Sequence, residues 1–521
     1  MKSPLRFSAF LALLLVFGLA VAGQISAQDR QGRPPEYREL MAATQIKDPA
    51  ARLKEFERIK AAYPQSQYMA GIERSILNAK IEMAGTLDEI LALQKDFLSK
   101  AEGPMRLQGP MVAADQIFSH PQFKTFDKAQ VLAVILDYRG DALKAAEDPG
   151  TYEGVPEVRR ASFKSYFVTG FWIPVAQAYL NAGDAAKAQQ ALDGYKKEGG
   201  TLDGPYFYTL GGVYEKAGKS KEAYEAYLSA AAEDYEDSVE RAKALYAKLN
   251  GKADGFEAAL EATLKTLPYH PEPFKAPAGW KGKAVLAELF TGSECPPCVG
   301  ADMGFDGLIE SYPVKYLAVL EYHLPIPQPD PMMNPATKAR QEYYGVNSTP
   351  TVVIDGDKKL VGGGARGMAE TKYKQYRAEI DPLLVGAPGV VLKARASRAG
   401  ETVNVEYDFD KAVAGAEYQI VLVQGEESYK GSNGLLFHKL VVRDLLAVDP
   451  AAAKKASFDL AASEQATDRY LTDFENTSPR FRGFKFAERH NRIDRSKLMV
   501  VLFVQDKDSK KVLNAVVAEV K

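Results

Sequence analysis

From about residue 34 to 268, apolar positions recur at helical spacing with almost no strand-like alternation, which predicts an all-helical half. Its clearest unit places Phe207, Leu210, Gly211, Tyr214, Ala223, Tyr227 and Ala230 on two helices joined by the turn Ala217-Gly218-Lys219. Gly211 and Ala223 are small enough for the helices to approach closely. The scheme recurs upstream as Trp172, Val175, Ala176, Tyr179, Ala188 and Leu192 around the turn Asn181-Ala182-Gly183-Asp184, so the repeat is internal. An earlier segment with Phe56 and Tyr63-Pro64 puts Arg52 where the scheme has a small residue. Residues 108–167 predict helices without a clear repeat.

Pro268, Pro271, Pro273 and Pro277 then stop helices and favour extended backbone, marking a boundary. Beyond it the pattern alternates between strand and helix. The apolar run 284–290 predicts a strand, and residues 298–311 predict a helix with Phe305, Leu308 and Ile309 as candidate core. A second strand over 316–322 is followed by a proline-rich loop over 323–335 and a helix over 336–344. A strand led by Pro350, the pair Leu360-Val361, three glycines at 362–364 and a helix to about Leu384 complete the segment. After the turn-rich stretch 385–389, runs at 390–394, 402–407, 418–423 and 498–504 predict an antiparallel β-sandwich.

The helical unit resembles the tetratricopeptide repeat pattern of bulky residue, Leu-Gly, aromatic, Ala, aromatic and Ala. That resemblance implies a peptide-binding or docking solenoid; aromatics at helical spacing are more often core than ligand box, which favours a packing scaffold or undefined protein contact over a specific peptide groove. Charge narrows the options further. With 66 Lys+Arg against 68 Asp+Glu, the net charge of -2 gives no reason to expect nucleic acid or an anionic membrane as partner. At the N-terminus, Lys2 and Arg6 precede an apolar stretch over 7–22 and small residues at Val21-Ala22-Gly23 and Ile25-Ser26-Ala27. Residues 1–27 therefore read as a secretory signal peptide, with an uncleaved anchor as the alternative. The expected location is exported, periplasmic or secreted, with no membrane span in the mature chain.

Only two cysteines occur, in Cys295-Pro296-Pro297-Cys298, where a buried strand gives way to a helix. Unpaired N–H groups and the helix dipole stabilise a thiolate there, the attacking species in disulfide exchange. Proline is tolerated in a first helical turn. As alternatives, a staple closing so small a loop adds little stability, and no second Cys pair completes a zinc site. His120, His270, His323, His438 and His490 are scattered without ligand spacing, so neither a metal nor an organic cofactor is expected. His323 either approaches the dithiol to assist proton transfer or merely caps a strand.

The order strand, dithiol helix, strand, helix, Pro-led strand, strand, helix resembles the thioredoxin superfamily. Pro350 in Thr349-Pro350-Thr351 matches the family's cis-proline. The resemblance implies that Cys295 attacks and Cys298 resolves, with the two able to form a disulfide. It also implies that Thr349 and Pro350 seat an extended substrate chain and that Gly363 or Gly364 permits its close approach. Thioredoxins proper carry Trp-Cys-Gly-Pro-Cys and a buried Asp six residues before the first cysteine; here Glu294 precedes Cys295 and Leu289 holds the upstream place. Glu288, one residue off, serves as the proton-transfer acid if the loop is longer; strand parity otherwise turns it to the opposite face.

The C-terminal strands resemble the β-sandwich that follows a thioredoxin-like domain in some bacterial envelope proteins, a partner-binding element or a spacer. The expected architecture is multidomain: an all-α helical-repeat domain over 28–274, an α/β thioredoxin-like domain over 275–385 and a β-sandwich-like domain over 386–521. The expected function is exported thiol-disulfide oxidoreductase acting on cysteines of envelope or secreted proteins. A protein-binding adaptor using the helical repeats is the alternative.

Overall fold

The computed structural model describes residues 34–521, so the expected signal peptide lies outside the described residues. Two compact units emerge: residues up to Gly200 with Gly212–Lys219, and Thr201–Gly211 with Ser220–Lys521.

The first unit is a helical-repeat region. It contains α1 (Pro35–Ala43), α2 (Pro49–Ala62), α3 (Met69–Met83), α4 (Leu87–Ser99), α5 (Met105–Phe118), α6 (Lys128–Ala146), α7 (Glu157–Gly170), α8 (Trp172–Asn181) and α9 (Ala185–Lys197). Short acceptor side chains start several of these helices. Asp48, Thr86, Asp127 and Asp184 each accept a backbone N–H three residues on, satisfying a group the helix leaves unpaired. In the α8–α9 hairpin, Val175, Ala176, Ala188 and Leu192 are buried as the repeat predicted, while Trp172 and Tyr179 are half-buried. Gly194 lies against the Trp172 indole, where a Cβ would come within 3.1 Å.

In the second unit the first turns of α10 (Gly204–Lys216) meet α11 (Ser220–Ala231), followed by α12 (Ser238–Asn250) and α13 (Phe256–Lys265). Gly211 faces the Tyr227 ring, where a Cβ would stand 2.8 Å away, and Ala223 is fully buried. These helices belong with the sheet-rich region, so the division does not fall at the expected 274/275 boundary. Arg366 explains why: its guanidinium donates to the carbonyl oxygens of Thr263 (2.7 Å) and Thr266 at the end of α13. The Thr263 carbonyl also accepts the Thr266 N–H (3.3 Å), and the buried guanidinium adds a charged donor at this helix end, where carbonyls run short of intrahelical partners.

The sheet-rich region starts with β1 (Val285–Thr291), α14 (Val299–Ser311), β2 (Leu317–His323), α15 (Pro335–Tyr344), β3 (Thr351–Ile354), β4 (Lys358–Val361) and α16 (Ala369–Ile380). It continues with β5 (Leu392–Ala399), β6 (Thr402–Phe409), β7 (Ala416–Ser428), β8 (Phe437–Val448), β9 (Lys455–Asp459), α17 (Leu460–Thr477), β10 (Leu498–Asp506) and β11 (Val512–Glu519). Among the described residues these strands form one eight-stranded sheet, β11-β10-β7-β8-β2-β1-β3-β4, and a three-stranded sheet, β5-β6-β9. β1 runs parallel to β2 and antiparallel to β3, and every residue of β1 and β2 is buried, as befits central strands covered on both faces.

The expected separate sandwich over 386–521 is corrected by this sheet. β8 joins the edge of β2 in parallel, with Glu321 opposite Val441, so the C-terminal strands extend the dithiol sheet. A buried β2 with an open edge would carry unpaired N–H and C=O groups, and β8 satisfies part of that edge. At the sheet's other end, Ala284 N–H donates to Asn514 Oδ1 (2.9 Å) and Lys283 Nζ to the Val512 carbonyl (2.9 Å), clamping β11 to the start of β1. Side-chain alternation in β7 and β10 splits their apolar residues between two cores. Val421, Val501 and Phe503 pack with Leu286, Phe290 and Tyr322, whereas Ile420, Leu422, Val500 and Leu502 pack with Val403, Val405 and Phe458 of the small sheet.

A fragment covering 275–388 is therefore expected to lack a cooperative thermal transition by circular dichroism, whereas Thr201–Lys521 retains one. A fragment melting as sharply as the longer chain would contradict the shared core.

Candidate functional site

β1 ends at Thr291, and Gly292-Ser293-Glu294 carry the chain to Cys295, a single helical turn at Pro296–Cys298 and α14. The two prolines fall in that first turn, where a missing N–H costs nothing. Cys295 and Cys298 form a disulfide with Cα atoms 5.3 Å apart, and both are 0% exposed. The Thr349–Pro350 peptide is cis, and Thr349 Oγ1 lies 3.3 Å from Cys295 Sγ and 2.7 Å from the Ile326 carbonyl oxygen. Thr349 thus links the sulfur to the proline-rich loop. A second cis bond, Ile326–Pro327, in that loop had no sequence signal of its own.

Gly363 is also brought to the site. It sits between Pro297 and Pro350; a Cβ there would collide with the Pro297 carbonyl and come within 2.7 Å of the Pro350 ring. Its neighbour Gly364 donates its N–H to Pro297 O (2.7 Å), and Gly300 N–H returns a bond to Gly364 O (2.8 Å). These glycines hold the segment before α16 against the dithiol turn.

Glu288 does not join the site. Leu286 and Phe290, which share its strand parity, pack in the core that includes α15, whereas Ala287 and Leu289 face the core of α14. On its own face Glu288 is buried and pairs with Arg340 Nη2 at 2.8 Å, accepting also from Tyr322 OH (3.1 Å) and Tyr344 OH (2.7 Å). Arg340 donates to Gln505 Oε1 of β10 as well (3.1 Å), so this network ties β1, β2, α15 and β10 together.

His323 is tied to the dithiol loop through Asp330. Its Nδ1 lies 2.9 Å from Asp330 Oδ2, and that oxygen accepts from Ser293 N–H (2.6 Å) and Ser293 Oγ (2.9 Å). Burial would push the Asp330 carboxyl up, yet His323 and the amides of Ser293 and Met332 hold it at about 2. The loop between β7 and β8 closes the other side. Tyr429 OH donates to Glu294 Oε1 (3.1 Å), Asn433 N–H to Ser293 O (3.1 Å) and Asn433 Nδ2 to Gly292 O (3.2 Å). His438 of β8 packs its ring edge-on to His323 at 5.0 Å; burial first, then His323, pulls its value down to about 3.

Under the N-terminal half of α14 lie carboxyls that sequence reading passed over. Thr291 Oγ1 donates to Asp302 Oδ2 (2.8 Å), and Lys439 of β8 pairs with Asp306 (3.4 Å) and Glu310 (3.7 Å). Glu321 sits opposite Leu289 in the β1–β2 register and so faces α14 too. A signal existed: Cys298, Asp302, Asp306 and Glu310 recur every fourth residue, the spacing of one helix face, and Glu321 interrupts an apolar strand. Among the described residues no helix is long and apolar enough to cross a membrane.

No protein-family model matches the chain, and no curated protein matches it. Among solved structures, a thermophilic TPR protein from Thermus thermophilus is similar at 16% identity, covering 44% of this chain and 100% of that one with a TM-score of 0.25. A likeness at that level carries no argument about fold or function.

Glu288→Gln strips Arg340 of its charged partner. It is expected to lower the unfolding free energy by about 3–5 kcal/mol in urea titration while the Cys295–Cys298 disulfide still forms, as read by thiol alkylation. His438 favours the neutral form in the folded chain, so its contribution is complete above pH 6.5 and is lost as pH falls toward about 3. Unfolding measured across that window is expected to lose up to about 1.4 kcal/mol per pH unit from this residue, and His438→Gln to flatten the slope.

Proposed function

We propose that the chain is a thiol-disulfide oxidoreductase whose β1-to-α16 segment is thioredoxin-like, acting on cysteines of exported or envelope proteins. The observation that carries this reading is a bonded Cys-x-x-Cys pair at a helix start, with the cis Thr349–Pro350 segment 3.3 Å from Cys295 Sγ. A structural disulfide has no use for a helix N-terminus, which favours thiolate over thiol, whereas an exchange site does.

In the forward step the reduced Cys295 thiolate attacks a substrate disulfide, forming a mixed disulfide and releasing one substrate thiolate. Cys298 then attacks Cys295 Sγ, the intermolecular bond breaks, and the second substrate sulfur leaves with the electron pair. The dithiol ends oxidised and the substrate reduced; the reverse sequence oxidises a substrate dithiol. Thr349 and the backbone beside Pro350 seat the substrate chain, and Gly363 keeps that edge free of side chain. Because both sulfurs are buried, exchange requires the Ile326 and Tyr429 segments to part from the dithiol loop.

That burial favours a second reading, a protein-binding scaffold in which the helical repeats carry the function and the disulfide only fixes the turn. One experiment separates them. Cys298→Ser, incubated with glutathione disulfide, is expected to accumulate a glutathione adduct at Cys295 by mass spectrometry, and Cys295→Ser none. No adduct on Cys298→Ser would favour the scaffold.

A further inference from the structure

Resolution by Cys298 requires that its thiol lose a proton inside a buried site, and Glu288 is engaged elsewhere. Asp302 follows Cys298 by one turn and Asp306 by two, and side chains at that spacing are neighbours, with Cβ atoms about 5–6 Å apart. Asp302 is held by Thr291 through one oxygen; its other oxygen, Oδ1, is buried and has no hydrogen-bond partner among the described residues. Glu321 Oε1, on the strand beneath, is likewise buried and unpartnered. Two orphaned carboxyl oxygens on facing elements are costly unless a proton is shared or moved between them. Asp306 borders a cavity of about 190 Å³ lined also by Lys265, Met303, Glu426, Leu435, Phe437 and Lys439.

Resting on the exchange reaction proposed above, we propose that Asp302, Glu321 and Asp306 form a proton relay between the Cys298 thiol and the cavity beside Lys439. When Cys298 resolves, Glu321 passes its proton to Asp306, Asp302 refills Glu321, and the Cys298 S–H proton refills Asp302. The net transfer is one proton from sulfur to Asp306 and on to water in the cavity. The thiolate forms the Cys295–Cys298 bond, and the leaving sulfur takes the electron pair. Reduction of the disulfide runs the relay backwards, protonating the Cys298 leaving group.

The electrostatics fit this order. Burial raises Asp302 well above the ordinary carboxyl range, with Thr291 opposing and Asp306 and Asp330 adding to it. Burial and then Asp302 and Asp306 raise Glu321 in the same direction. Asp306 is pushed up only to about 6, by burial against the pull of Lys439, so at neutral pH it is the empty end of the chain. Glu310 on α14 and Arg366 also act on Asp306, while Tyr376 of α16 and Tyr269 face the same carboxyls. On the dithiol side stand His323, Asp330 and His438. Asp306 must be ionised to receive the proton, so resolution is fast above about pH 6 and slows below it.

The test mixes the reduced full chain with Ellman's disulfide in a stopped-flow instrument. Thionitrobenzoate is released first as Cys295 is labelled and again as Cys298 resolves. The second phase is expected to show an inflection near the Asp306 value. In Asp302→Asn and Glu321→Gln it is expected to slow about a hundredfold and lose that inflection, with partial rescue by Asp302→Glu. Should a core variant not fold, Asp306→Asn at the cavity wall serves, and its expected result is the same loss of inflection. A second phase with unchanged rate and pH profile in the folded variants overturns the relay. Absence of the first phase in the unaltered chain would instead overturn the exchange reaction.

Discussion

The arrangement depends on one constraint: β2 is buried along its whole length in the middle of an eight-stranded sheet, so its edge must be paired. A strand running over from the C-terminal region meets that demand. Once β8 is in place, its preceding loop reaches the dithiol loop through Tyr429 and Asn433. The same strand delivers His438 to His323 and Lys439 to Asp306. One backbone pairing therefore sets both the cover over the cysteines and the charge balance beneath them.

The two faces of β1 divide the polar work. On the face of α15, Glu288 and Arg340 neutralise each other with Tyr322, Tyr344 and Gln505 filling their remaining positions, a satisfied network that holds elements together. The α14 face carries Asp302, Glu321 and Asp306, with Lys439 paired to Asp306 and Arg366 acting on it from farther off. Burial makes charge unfavourable on Asp302 and Glu321, raising both, while half-buried Asp306 beside Lys439 rises only to about 6. Asp330 lies between these regimes: anchored by His323 and two backbone amides, it stays ionised and fixes Ser293, two residues before Cys295.

Much of this was legible in the residues. The hairpin built on Gly211 and Tyr227 and the strand-to-helix seat of the cysteines follow from short-range pattern and small-residue placement, while the cis bond before Pro350 was an expectation of the family resemblance alone. Strand parity already counted against Glu288, and Arg340, buried and facing it, gives the reason it is kept. The junction of β8 with β2 was not legible, because a parallel pairing over more than a hundred residues leaves no local trace; an alternating run predicts a strand without its neighbour. The carboxyl face of α14 was legible in spacing and was passed over, since acidic residues on a helix usually face water.

The proposed exchange requires the dithiol to be a working redox pair rather than a fixed crosslink. Equilibrating the full chain in buffers of graded reduced-to-oxidised dithiothreitol ratio, while following Cys295–Cys298 by alkylation and the fold by circular dichroism, measures this directly. The predicted result is a reversible two-electron transition of the cysteines in a chain that stays folded throughout. A disulfide that resists reduction until the sheet unfolds, with both signals changing together, would contradict it.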